Sequence, residues 1–474
     1  MNVRKEYAPL LRTQDLSLFY QDSGTPILDK ITLEVHAGEL ILIAGPSGSG
    51  KSSLIHCLAG LIPRTIHGTL HGIVSLLGKD IQKMPSWEIA RYLAIIFQEP
   101  EEQFFTLKVE DELAFGPENH GIPSEQILPR IHQAAIFTDT KSLLPRSLNA
   151  LSEGEKQRVA IAANLTLEPI ILLFDEPTSN LDEASSKKFC DLLLRLLRRR
   201  NHAIILIEHH LHLFAPIADR LIILQDGQIR YKGDPLLLKN QCVCKKWGLR
   251  EQVLTSSISP NFWKHPTCTG LSKPLLSLRH LRFKFHRRCD FLLALPEFSA
   301  MAGEAIALVG DNGTGKTTLL RLLAGTLAPD SGMILVQGRK PHRISPRKRS
   351  CMIRLVLQNT DHQLFMPDVY SELTFANNSN SADFLLHHLN LKHLRHRHPH
   401  ALSIGEKQRL AIAAALICEP LILLLDEPTS GMDGMNINCL IRLLLRYKQQ
   451  GMIIVIASHD IELIRSVCDR GIKL

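Results

Sequence analysis

No stretch of these 474 residues is apolar without interruption for the roughly 18 positions that a membrane-spanning helix needs. The opening MNVRKEYAPLLRTQD contains no apolar leader, so no signal peptide is expected. Together these absences predict a cytosolic chain that reaches a membrane only by docking to something already embedded there. There is no C-x-x-C pair either. The nearest of the ten cysteines are Cys242 and Cys244, which predicts free thiols in a reducing compartment rather than a disulfide framework or a zinc site. Neither sign of charge is in large excess, the net +8 being mild for this length. The densest basic segment, RKPHRISPRKR at residues 339–349, is expected to be a solvated face. With 45% hydrophobic and 22% charged residues, the balance is that of ordinary globular domains.

What is present in abundance is repetition. GPSGSGKS at residues 45–52 returns as GDNGTGKT at 310–317, and both fit G-x-x-x-x-G-K-[ST], a loop whose backbone N–H groups cradle phosphates. The first copy is followed by Gln98, LSEGEKQR at 151–158, ILLFDEP at 171–177 and His209. The second is followed by Gln358, LSIGEKQR at 402–409, LILLLDEP at 421–428 and His459. Lys51 and Lys316 are 265 residues apart, Gln98 and Gln358 are 260, and Asp175 and Asp426 are 251. The offset shrinks because the second copy is trimmed between its phosphate loop and its signature. Such an internal duplication predicts two domains. We expect them at residues 1–235 and 275–474, joined by a connector at 236–274 that loses the periodicity.

Each half has the same local grammar. ELILIAG and EAIALVG are short aliphatic runs stopped by glycine, as buried parallel strands are, and each leads through the loop into a helix. EKQRVAIAANL and EKQRLAIAAAL read as helices feeding the strands IILLFD and LILLLD. Alternating strands and helices predict an α/β fold, two tandem nucleotide-binding domains, each a phosphate-loop core with a helical subdomain.

The chemistry follows from position. The first loop consists of Gly45, Pro46, Ser47, Gly48, Ser49, Gly50, Lys51 and Ser52, with Ser53 next. The second consists of Gly310, Asp311, Asn312, Gly313, Thr314, Gly315, Lys316 and Thr317, with Thr318 next. Each lysine is expected to reach the β- and γ-phosphates, and the hydroxyls of Ser52 and Thr317 to ligate Mg²⁺. Asp175 and Asp426 end apolar strands, where a carboxylate supporting Mg²⁺ belongs. Glu176 and Glu427 are suited to polarise the attacking water. His209 and His459, at nearly matching distances from the acids, are expected to bond a γ-phosphate. Gln98 and Gln358 can reach Mg²⁺ or the water.

This whole set resembles the ATP-binding cassette (ABC) ATPases over nearly the entire chain outside the connector. The resemblance implies ATP hydrolysis at both sites. It further implies that Tyr20 and Phe285, each 31 residues before its lysine, stack on adenine. Ser152 and Gly154 match one signature, Ser403 and Gly405 the other. In that family one cassette's loop and the other's signature share a nucleotide, which pairs Lys51 with Ser403 and Gly405, and Lys316 with Ser152 and Gly154. Asp182 and Asp433 match acids at the seam between cassettes. The usual L-S-G-G-Q here reads LSEGE and LSIGE, so Glu153 and Ile404 replace the first glycine. The β-branched Ile404 is not expected at positive φ, and Glu153 is expected to point away from the γ-phosphate.

FQEPEEQFF with TLKVEDELAFGPENHGIP resembles the ATPases of energy-coupling factor importers, and LQNTDHQLFMPDVYSELTFANN is a looser version. That implies a peripheral protein on the cytoplasmic membrane face. Its partners would be a membrane coupling subunit and a small substrate-binding membrane subunit, its cargo a vitamin, vitamin precursor or transition-metal ion. No nucleic acid is expected. A tandem sugar-importer ATPase, an exporter's cassette pair and a soluble ABC-type translation factor remain alternatives. The run with His393, His396, His398 and His400 has no Cys or acid among it and is expected to be a solvated segment.

Overall fold

The computed structural model describes residues 8–20, 24–179, 181, 183–198, 202–250, 262, 274–284, 292–311, 313–375 and 381–474. The chain divides into two compact units, Met1–Gln252 and Val253–Leu474.

In the first unit the aliphatic runs become a six-stranded sheet. Its order is Gln228–Gly233, Arg220–Gln225, Leu40–Ala44, Ala203–Ile207, Ile171–Asp175 and Leu93–Ile96, parallel except for the first strand. Every residue of Leu40–Ala44, Ile171–Asp175 and Ala203–Ile207 is buried. Layers on both faces leave no polar side to alternate with, which is why these strands are apolar throughout except for the terminal Asp175. Each such side chain contributes about 1.5–3 kcal/mol on burial. A four-stranded antiparallel sheet, Leu28–Val35, Leu11–Phe19, Thr69–Leu76 and Lys79–Asp80, covers the core through the phosphate-loop helix Lys51–Leu58. Helices Val109–Asn119, Ser124–Phe137 and Glu153–Leu165 enclose a separate small core around Leu113, Ile131 and Val159.

The second unit repeats the plan with less. Its main sheet is Ile353–Val356, Ile422–Asp426, Ile453–Ala457, Ala305–Val309 and Arg470–Lys473, all parallel. The helices before its signature, Val369–Thr374 and Ala382–His388, have 6 and 7 residues against 11 and 14 in the first unit. Most of the shrinking repeat offset is spent here, between the glutamine and the signature.

Part of the expected connector has a place in the first unit. Leu238, Cys244 and Leu249 are buried in one cluster with Leu42, Phe174 and Leu206 of the main sheet.

Candidate functional site

In each unit three strand ends meet along one edge of the sheet. The phosphate loop follows Leu40–Ala44, whose neighbour Ala203–Ile207 pairs in turn with Ile171–Asp175. Register sets Asp175 opposite Ile207 and Asp426 opposite Ala457. The residues just beyond these pairs therefore emerge together: Glu176 with Glu208 and His209, Glu427 with Ser458 and His459. The carboxyl edge of a parallel sheet is where such folds hold their ligands.

The loops are shaped for an anion. Gly48 and Gly50 have φ of 77° and 95°, Gly313 and Gly315 of 86° and 101°, turning successive N–H groups inward. At Gly45 a Cβ would lie 2.1 Å from the carbonyl oxygen of Leu224, so only glycine fits there. Lys51 Nζ donates to the carbonyls of Gly45 and Pro46, both at 3.0 Å, and Lys316 Nζ to that of Gly310 at 2.5 Å. Ser49 Oγ is buried without a hydrogen-bond partner, an orphan beneath the loop that a phosphate oxygen would satisfy. Tyr20 Oη lies 3.2 Å from Ser53 Oγ, which holds the ring beside the loop's helix.

Of the expected metal ligands, Thr317 donates to Asp426 at 2.6 Å, and the Ser52 hydroxyl bonds Asp175. Asp175 Oδ1 is buried and unpartnered. Burial, then the neighbouring Glu176, pushes the Asp175 carboxyl up to about 7 against the pull of Ser52 and Lys51. Burial also raises Asp426. A buried acid with an orphan oxygen beside a hydroxyl fits a hard divalent cation, which would hold it ionised.

The two acid pairs are not alike. Glu176 Oε1 is 2.9 Å from His209 Nε2, and Gln98 Nε2 donates to Glu176 Oε2 at 3.3 Å. Burial raises this carboxyl, but His209, Lys51 and Arg250 outweigh it and hold it near 2. Glu427 instead accepts from Ser458 Oγ at 3.0 Å and the His459 N–H at 3.4 Å, while His459 Nε2 lies 2.7 Å from Lys316 Nζ and 3.7 Å from Glu427. Burial lifts Glu427 to about 7 despite Lys316 and Ser458. Gln358 is exposed, unlike Gln98.

The signatures begin helices Glu153–Leu165 and Ile404–Leu416, with Ser152 and Ser403 as caps in reciprocal capping boxes. Glu153 faces Lys156 at 2.9 Å, and Lys156 also bonds Glu101 beyond the glutamine. A Cβ on Gly405 would lie 2.2 Å from the carbonyl of Gly431. Asp433, 2% exposed, caps its own helix through the N–H of Asn436 at 2.7 Å. Asn312, Phe285 and Asp182 lie outside the described residues.

Sequence reasoning missed Glu208. It is 2% exposed and accepts from Thr178 N–H at 2.9 Å, Thr178 Oγ1 at 2.7 Å and the His209 N–H at 3.1 Å. The signal was available, since an acid follows the wholly apolar AIILI much as Asp175 follows ILLF.

A glycine loop opening a helix, with acids and a histidine at the same sheet edge, defines a phosphate-loop nucleoside triphosphatase with two such sites. The family model described as ABC transporter matches residues 28–179 and 295–430. The chain belongs to that family and is an ATPase. It is 36% identical to a provisionally named ABC transporter ATP-binding protein of Treponema denticola, over 98% of this chain and 95% of that one. It is 34% identical to a Bacillus subtilis protein provisionally named HMP/thiamine import ATP-binding protein YkoD, over 98% and 90%. An archaeal ABCE1 in a ribosome-bound model with Pelota shares the fold, with a TM-score of 0.67 at 23% identity, covering 96% of this chain and 76% of that one.

Proposed function

We propose that this chain is the energy-coupling ATPase of an importer of the energy-coupling factor type, working at the cytoplasmic face of the membrane. The observation that carries the reading is a pair of exposed apolar loops beyond the glutamines. Phe105 and Leu107 are each 74% exposed, and Phe105 stacks on Phe115 with ring centroids 4.9 Å apart. In the second unit Phe365 and Phe375 are 74% and 76% exposed. Such side chains stay in water at a cost unless something covers them.

The loops are held in shape. Glu112 accepts the N–H groups of Phe105 and Thr106 at 3.0 and 2.9 Å, and Glu372 those of Phe365 and Met366 at 2.9 and 2.8 Å. A fixed, apolar, twice-repeated surface suits the helices of a membrane coupling subunit. Among the described residues no helix is long and apolar enough to cross a membrane, so the substrate path would lie in other subunits. The name of the Bacillus subtilis relative favours a vitamin precursor as cargo.

In this reading Lys51 and Lys316 bind the phosphates of ATP. Ser52, Asp175 and Gln98, and in the second cassette Thr317, Asp426 and Gln358, would hold Mg²⁺, whose charge would offset that of the phosphates. Glu176 and Glu427 orient the attacking water and take its proton. His209 holds Glu176 in place, and His209 and His459 each bond a γ-phosphate. The two cassettes of one chain act as a pair at high effective concentration.

Affinity capture of the tagged chain from gently solubilised native membranes tests the proposal. Two small integral membrane proteins are expected. Ribosomal proteins without a membrane partner would overturn it in favour of a translation-associated ATPase.

A further inference from the structure

The strand-end residue before each histidine differs between the cassettes, and the difference reaches the catalytic acids. Glu176 N–H donates to Ile207 at 3.0 Å and Glu427 N–H to Ala457 at 2.8 Å, so the next residues, Glu208 and Ser458, are structural counterparts. Ser458 Oγ and the His459 N–H both donate to the Glu427 carboxylate. That carboxylate is thereby drawn onto the main chain of the histidine turn, 3.7 Å from the imidazole.

In the first cassette Glu208 takes that N–H instead. Its Oε2 accepts from His209 N–H at 3.1 Å and its Oε1 from Thr178 at 2.9 and 2.7 Å. One buried carboxylate thus staples the turn after the acid strand to the turn that carries the histidine. Glu176, relieved of the main-chain donor, meets His209 Nε2 at 2.9 Å and keeps its other oxygen for Gln98. Buried hydrogen bonds of this kind, several on one side chain, fix geometry.

We propose that Glu208 is a positioning residue that commits Glu176 to His209, so that the two ATP sites of this chain are built differently. The inference rests on the reading of Glu176 and His209 as a hydrolytic pair. Glu208 touches neither substrate nor metal in this account. It acts by removing a competitor for the Glu176 carboxylate.

The test is the nucleotide-free crystal structure of the full chain carrying Glu208→Ser, the residue of the other cassette. Glu176 is expected to accept from the new hydroxyl and the His209 N–H, and to part from the imidazole beyond hydrogen-bond distance. A retained 2.9 Å pair would overturn the proposal. If that variant does not fold, Glu208→Gln keeps the volume but can accept from only one side, and the same separation is expected. Turnover supplies the second readout, in a Glu427→Gln background that reports the first cassette. Glu208→Ser should lower kcat about 10- to 100-fold, the scale of a misplaced catalytic group, with KM for ATP unchanged. Combined with His209→Ala it should cost nothing further, whereas losses that multiply would contradict the inference. If Glu176→Gln alone leaves turnover intact, the hydrolytic reading falls, and the crystal structure still decides the positioning claim.

Discussion

The same residues in the same order make two different acid sites. In the first cassette a glutamate and a histidine face each other at 2.9 Å and the carboxyl is held near 2. In the second, the histidine lies nearest the phosphate-loop lysine, at 2.7 Å, and the carboxyl rises to about 7. Neither motif nor fold separates them, since both acids leave the same strand edge with the same main-chain bond. The neighbours differ: Glu208 stands against Ser458, which changes the group that receives the histidine's N–H, and Gln98 bonds Glu176 where Gln358 is exposed. A catalytic motif fixes which groups are present, and the unremarked residue beside it decides which of them are partnered.

The sharpest way to break the comparison is to remove both acids. Changing Glu176 and Glu427 together to Gln should lower ATP turnover about 10²- to 10⁴-fold, the value of general-base assistance. If either single change leaves turnover untouched in a phosphate-release assay, that site is silent and the pair is not a two-site enzyme.

Stability is the next measure. Gly405→Ala places a Cβ 2.2 Å from the Gly431 carbonyl oxygen. Denaturant unfolding should show a loss of about 3 kcal/mol. A loss under about 1 kcal/mol would mean that the second signature turn has room for a side chain.

Glu208 should also mark the first cassette through pH. Burial raises its carboxyl to about 7 against the bonds from Thr178. The native chain then keeps a proton that the unfolded chain has released above its ordinary 4.5. Stability from this group is therefore highest at low pH and falls as pH rises from about 4.5 through 7, by about 3 kcal/mol in all. Unfolding midpoints measured from pH 5 to 8 should slope less in Glu208→Gln than in the parent, and an unchanged slope would sink the claim.

The smallest effect is expected at the signature substitution itself. Glu153 is 40% exposed and its partner is Lys156, so Glu153→Ile, which copies the second signature, should change stability by less than about 1 kcal/mol. A larger loss would give Glu153 a role beyond its ion pair.

Much of this was legible in the sequence. The aliphatic runs ending in Asp175 and Asp426 read as buried strands because strands covered on both faces leave no polar alternation. The glycine loops read as phosphate cradles because their spacing needs positive φ where the structure has it. What could not be read was the order of the strands, and with it the neighbours. Glu208 bonds Thr178 across 30 positions only because two parallel strands align Asp175 with Ile207. Gln358 matched Gln98 by motif, yet it is exposed while Gln98 reaches Glu176. Similarity of spacing fixes which element a residue rides on and leaves its partners to packing.

The most direct test of a chain with two complete ATP sites is equilibrium binding of ATP with Mg²⁺ to the Glu176→Gln, Glu427→Gln double variant, which should consume the ligand about 10²- to 10⁴-fold more slowly. Two ATP molecules per chain are predicted, falling to one when either Lys51 or Lys316 is changed to Ala. A stoichiometry of one in the parent double variant would contradict the account.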